Sequence, residues 1–321
     1  MTSSMIPAPR SLALVGALIA ACVALAAPTV ASARPTCFGH RATIVGNNHG
    51  NHIKGTQHGD VIAGLGGRDV IVGNGGRDII CGGSGKDSIQ GGKPSLKHDK
   101  PTRLIGGPGN DRIEGSFASD FIVADNANPK GDAIGHVGRD KINGRFGNDL
   151  IVGDNYSSFD AEGGKHDLIL GHKGNDTLIG DSYVTGSGTA SGAGYDKLDG
   201  SSGKDFVVGD SYSPYGTAKG GGKDKINGGP KSDLFVGDSY TKTGTATGAG
   251  RDQLHGLSGA DTEYGDNYAA TPRGETSGGT HDFLAGATDA DHLFGGPGKD
   301  TCNGGNGQDT AQQCEYVLEV P

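Results

Sequence analysis

The chain has 321 residues, of which 62 are Gly and none Trp, with 33% hydrophobic residues and a formal net charge of −9. That composition excludes a large two-layer aliphatic core. The acids, 31 Asp against six Glu, join the glycines in excluding long helices. Gly does not fall at every third position, which excludes collagen and leaves disorder as the reading that spacing must overturn.

Residues 1–33 read as a secretory signal peptide. Arg10 is their only charge, Ser11 to Ala27 is an unbroken run of small and apolar residues, and Ala31-Ser32-Ala33 is an A-x-A cleavage site. The run is short for a spanning helix, which needs ~20 residues. A lipoprotein signal at Ile19-Ala20-Ala21-Cys22 is the rival, but the residues after Cys22 stay apolar instead of forming a polar tether. The mature chain is then expected to be Arg34–Pro321, secreted and extracellular, with no other stretch able to enter a membrane. Its cysteines are Cys37, Cys81, Cys302 and Cys314. An even number in an exported chain suggests disulfides. Four allow three pairings, and the positions favour Cys37–Cys81 and Cys302–Cys314. Zinc is a poor alternative, since there is no C-x-x-C pair.

From Gly46 the chain divides into ninths: GNNHGNHIK, GTQHGDVIA, GLGGRDVIV, GNGGRDIIC and GGSGKDSIQ. Position 6 is Asn51, Asp60, Asp69, Asp78 and Asp87, and position 8 is Ile53, Ile62, Ile71, Ile80 and Ile89. Lys93, Lys97, Lys100 and Arg103 mark a basic break, expected as a solvated loop. Ninths resume with Asp111 and Asp120, then continue as doublets at Asp140/Asp149, Asp167/Asp176, Asp196/Asp205, Asp224/Asp233 and Asp252/Asp261. The last run has Asp282, Asp291, Asp300 and Asp309.

A second period overlies the first. Gly-Asp-Ser/Asn-Tyr recurs at Gly153–Tyr156, Gly180–Tyr183, Gly209–Tyr212, Gly237–Tyr240 and Gly265–Tyr268, with Ala124–Ala127 as a degraded first copy. The motif's Asp residues (125, 154, 181, 210, 238, 266) step by 29, 27, 29, 28 and 28. Each long unit is two ninths plus an insert of Gly, Ser and Thr, expected as a short hairpin or loop.

The nonapeptide resembles the haemolysin-type calcium-binding (RTX) repeat family, G-G-x-G-x-D-x-U-x. That resemblance implies an all-β fold, a right-handed parallel β-roll in which two ninths close one turn. The position-8 aliphatics then point inward and form the only row large enough for a core. It also implies several Ca²⁺ ions, held between loops of neighbouring turns by position-6 carboxylates and loop carbonyls. The paired ligands would be Asp60/Asp78, Asp69/Asp87 and Asn51/Asp69. Further on, Asp111, Asp140, Asp167, Asp196, Asp224, Asp252 and Asp282 share one edge. Asp120, Asp149, Asp176, Asp205, Asp233, Asp261 and Asp291 share the other, and Asp300 and Asp309 complete the set. The Gly-Asp aspartates stay open between ligand and turn former.

The expected organisation is a cap at residues 34–45, a regular roll at 46–92, and a basic insert with a degenerate repeat at 93–105. An insert-bearing roll follows at 106–312 and a cap at 313–321. Glu263 takes position 8 where an aliphatic belongs, so irregularity is expected at Thr262–Tyr264, and Cys302 and Ala311 predict a thin C-terminus. The tyrosines, one per turn, are expected to stack. No stretch remains for a catalytic domain, and the glycine-rich GGSGK and GGPGK segments lack the Ser or Thr of a phosphate loop. The expected function is a secreted calcium-binding protein without catalysis, whose roll folds on the ion. The alternative is a calcium-scaffolded adhesin that binds a cell surface or polysaccharide through its inserts and tyrosines; no nucleic-acid partner is indicated.

Overall fold

The computed structural model describes residues 34–92 and 100–321; the signal-peptide reading, Lys93 and Lys97 lie outside them. Among the described residues there is no helix. Two 12-stranded parallel sheets carry the chain, one running from Ile44–Asn47 to Thr310–Gln312 and the other from His52–Lys54 to Tyr316–Leu318. Successive ninths alternate between the sheets, so residues 18 apart pair in the early turns: Ile62 with Ile80, and Ile71 with Ile89. This is the parallel β-roll.

Alternation along each three-residue strand turns position 8 to the interior. Ile62, Ile71, Ile80, Ile113, Ile122, Ile151 and their equivalents lie there without solvent exposure. The basic break contributes a rung of its own. Arg103–Ile105 pairs with Ile79–Cys81 on one side and Phe121–Val123 on the other, and Leu104 fills the core position. Arg103 is therefore a strand residue rather than part of a solvated loop, with its guanidinium over the Phe38 ring.

The inserts are not antiparallel hairpins. Each carries short strands that pair in parallel with the inserts of adjacent turns. One ladder joins Ala133–Ile134, Ala161–Glu162, Thr189–Ser191, Thr217–Lys219, Thr245–Thr247 and Glu275–Ser277. A second runs through the tyrosines, pairing Tyr156 with Tyr183, Tyr183 with Tyr212, Tyr212 with Tyr240, and Tyr240 with Tyr268. Similar insert lengths make this possible: copies that begin on stacked rungs and end on stacked rungs pair along their short strands, and the differences of a residue or two are taken up between them.

These arcs cover the outer face of the first sheet and bury a second core. It consists of the position-9 residues Val123, Val152, Ile179, Val208 and Val236, closed over by Tyr212 and Tyr240. The position-8 row is thus not the only core row. The tyrosines do form a ladder, with ring centroids 4.8 Å apart for Tyr183–Tyr212, which lie face to face, and for Tyr212–Tyr240, which meet edge to face. Tyr212 and Tyr240 are only 7% exposed, so their rings serve as packing.

Thr262–Tyr264 is regular, contrary to the expectation from Glu263. Its backbone pairs with Leu234–Val236 and with His292–Phe294, and Glu263 stands fully buried in register between Phe235 and Leu293. Strand pairing on both sides holds the register whatever the side chain. The C-terminus is thin as expected: Ala311 is half-buried and Tyr316–Leu318 is exposed. Both expected disulfides form, Cys37–Cys81 and Cys302–Cys314, each fastening one end of the roll.

Candidate metal centre

At each bend the six residues before a strand form a tight loop that ends in the position-6 Asp. Its backbone N–H donates to Oδ1 of the position-6 Asp one turn further on: 2.9 Å from Asp60 to Asp78, 2.8 Å from Asp69 to Asp87, and 2.7 Å from Asp167 to Asp196. Repetition of this bond draws the carboxylates into two rails, one along each edge.

The first rail runs from Asn51 through Asp69, Asp87, Asp111, Asp140, Asp167, Asp196, Asp224, Asp252 and Asp282 to Asp300. Asp300 then donates to the Glu315 carboxylate. The second rail holds Asp60 and Asp78, then Thr102, and continues through Asp120, Asp149, Asp176, Asp205, Asp233, Asp261 and Asp291 to Asp309. The two series Asp111 to Asp282 and Asp120 to Asp291 fall on separate edges as expected, and Asp300 and Asp309 extend one rail each. Glu315 and Thr102 were missed. Thr102-x-Leu104 repeats the position-6 to position-8 spacing, which is the signal that could have found the second.

Every position-6 Asp is buried. Asp60, Asp78 and Asp120 aside, each leaves Oδ2 without a hydrogen-bond partner. Asp60 and Asp120 are satisfied within their own loops. Asp60 Oδ2 accepts from the Thr56 N–H at 2.7 Å and its hydroxyl at 2.8 Å, and Ser116 serves Asp120 through its N–H and hydroxyl. The remaining orphaned oxygens are costly, because a buried carboxylate needs a compensating charge or donors. Burial, followed by repulsion from neighbouring rungs, pushes Asp111 and Asp149 up to about 9. Burial with weaker opposing bonds brings Asp87 and Asp205 to about 6.

Carbonyl oxygens share the space of these orphans. A Cβ placed on Gly82 would stand 2.5 Å from Asp87 Oδ2 and 2.6 Å from the Gly106 carbonyl of the next turn, so only Gly fits there. Among the described residues no three His, Cys, Asp or Glu side chains converge on one metal-sized point. A cation held here therefore draws on carboxylates plus backbone carbonyls. That donor set suits Ca²⁺, which takes six to eight oxygens, and not a transition metal seeking nitrogen or sulfur.

A stacked roll with acidic, glycine-lined bends defines a repeat protein of the calcium-binding kind. The chain matches the RTX calcium-binding nonapeptide repeat over residues 54–89, 102–128, 133–155, 163–182, 190–211, 246–267 and 276–311. That is more than half of its length, and the chain belongs to this family. No curated protein matches it.

Proposed function

We propose that the protein is an exported, non-catalytic calcium binder whose roll is completed by ions seated along both rails. The observation that carries this reading is the column of buried Oδ2 atoms without partners, aligned with loop carbonyls. The 18-residue turn and its longer variants place an oxygen set between successive rungs, except in the early turns of the second rail where Thr56, Thr102 and Ser116 intervene. Export is supported by the composition of residues 1–33 and by the two disulfides, which belong to oxidising compartments. The described residues are taken up by stacked turns and their arcs, which supports a scaffold role. Extracellular modules bind calcium at roughly 10⁻⁴–10⁻³ M, so the sites would load outside the cell. Because the oxygen set is assembled only in the folded roll, ion binding becomes folding free energy, and because the carboxylates must lose protons to bind, it depends on pH.

Calorimetric titration of the mature chain with calcium at neutral pH is expected to show several ions bound per chain and release of protons. Absence of binding heat in several buffers of different protonation enthalpy, together with no retained calcium on dialysis, would sink the reading.

A further inference from the structure

We propose that the Gly-Asp aspartates Asp125, Asp154, Asp181, Asp210, Asp238 and Asp266 pair with the position-6 aspartates of their own loops to form a second class of cation site, for Ca²⁺ or a similar hard divalent ion. This rests on the calcium-binding reading above and extends it to residues outside the nonapeptide's own acid position.

The placement is specific. Gly-Asp supplies positions 1 and 2 of the interrupted ninth, and the insert is spliced between position 2 and position 4. In uninterrupted loops position 2 is Leu65, Asn74, Gly83, Arg145, His172 or a similar residue, and never an acid. An acid at position 2 appears only where an insert of the long period follows, and there in all six copies; the basic insert after Gly92 has none.

In Asp125, Asp154, Asp238 and Asp266 one carboxylate oxygen has a structural task, which in Asp181 and Asp210 is shared by both oxygens. It accepts the backbone N–H of position 4, which clasps the two ends of the insert: Gly138 to Asp125 at 2.9 Å, Lys165 to Asp154 at 3.2 Å, and Gly250 to Asp238 at 2.7 Å. An Asn could perform that task equally well. In the four that use one oxygen, the second has none. Asp125 Oδ1, Asp154 Oδ1, Asp238 Oδ2 and Asp266 Oδ2 are without partners, on side chains at most 3% exposed.

The carboxylates face the first rail, and it is their clasping oxygens that come nearest to it. Asp181 Oδ1 and Asp196 Oδ2 stand 2.7 and 2.6 Å from the single point a Cβ would take on Gly194. Asp238 Oδ1 and Asp252 Oδ2 stand 2.6 and 3.0 Å from the same point on Gly250. Position 4 is kept bare in both loops, and the two carboxylates meet across it. Among the described residues the close ion pairs join Arg112 and Arg145 to Glu114, and the one cation that offsets a member of the double row is Lys165, beside Asp154. Two facing buried carboxylates must then share protons or hold a cation. The adjoining Gly carbonyls add neutral oxygens, the mixture that calcium prefers.

The test is equilibrium dialysis of the mature chain against calcium at about pH 7.5, comparing wild type with Asp181→Asn/Asp210→Asn. These changes keep the clasping acceptor and remove the charge. The double variant is expected to bind about two ions fewer per chain, with unchanged circular dichroism at saturating calcium. Asp176→Asn/Asp205→Asn on the opposite rail is the control. A full complement in the first variant, alongside ions lost from the control, means that the facing rows share protons and overturns this inference alone. A wild type that binds no calcium, or a control that keeps every ion, overturns the calcium-binding reading beneath it. Should the double variant unfold, Asp210→Asn alone is read the same way: about one ion lost supports the inference, and none lost overturns it.

Discussion

In calcium-free buffer at about pH 8, the chain is expected to lose most of the β circular dichroism it shows in millimolar calcium, and acidification to about pH 5 is expected to restore part of it. Both effects come from the rails. Burial, reinforced at several rungs by repulsion, raises Asp176, Asp233 and Asp261 to about 7, Asp282 to about 8 and Asp111 to about 9, from an ordinary value of 3.8. Below the unfolded value both states keep the proton and the groups do not oppose folding. As pH rises through the folded values, the unfolded chain releases protons that the roll retains, so stability falls across roughly pH 4 to 9. Calcium reverses the sign. It binds the deprotonated carboxylates, so acidification expels it and weakens the loaded roll. Spectra recorded against pH in chelator and in excess calcium should therefore slope in opposite directions. Parallel slopes, or a full β signal in chelator at pH 8, would refute this account of the rails.

Replacing Glu263 with Leu is expected to stabilise the calcium-loaded roll by about 2 kcal/mol near pH 6 and about 4 kcal/mol near pH 8, at 1.36 kcal/mol per pH unit. Glu263 is fully buried between Phe235 and Leu293, and neither carboxyl oxygen has a hydrogen-bond partner. Burial, aided by the charges of Asp261 and Asp291, raises it from 4.5 to about 8. The folded chain must keep this proton while the unfolded chain gives it up, so the penalty begins near the unfolded value and grows until the folded one. Bound calcium would quiet the two neighbouring aspartates, but burial is the larger cause and remains. Urea unfolding at saturating calcium measures the difference. Glu263→Gln should recover less than Leu, since an amide still buries polar atoms without partners. A gain that does not change between pH 6 and pH 8 would show that the carboxyl is not held neutral.

The sequence makes the rails and the inner core legible because both follow from one local rule. Asp at position 6 and an aliphatic at position 8 are set by the geometry of a single ninth, and the turn simply repeats them. Three features escaped that rule. Val152, Ile179 and Val208 at position 9 face outward, and they become core only because an arc returns over them. The signal was present: aliphatics stand at both positions 8 and 9 in the first four ninths that precede the motif, Ile122-Val123, Ile151-Val152, Leu178-Ile179 and Val207-Val208. The parallel pairing of the inserts depends on each copy meeting the next across 27 to 30 residues, a contact no local pattern encodes. Glu263 misled for the opposite reason. Its local pattern is wrong for a core strand, but neighbouring rungs impose the register.

Thr102 and the two self-satisfied aspartates have a directional consequence. In the early turns of the second rail, Asp60 is capped by Thr56, Asp120 by Ser116, and Thr102 replaces a carboxylate altogether. The Cys37–Cys81 bond ties the same end. Along that edge hydroxyls and a covalent link do what the ion does elsewhere. In a one-dimensional stack each turn is stabilised by its neighbours, and order spreads from wherever it is least costly to begin. The amino-terminal turns thus form a foothold with a low demand for calcium. Later turns, with a second acidic row along the first rail, extend from it as the ion concentration rises, giving assembly a start and a heading.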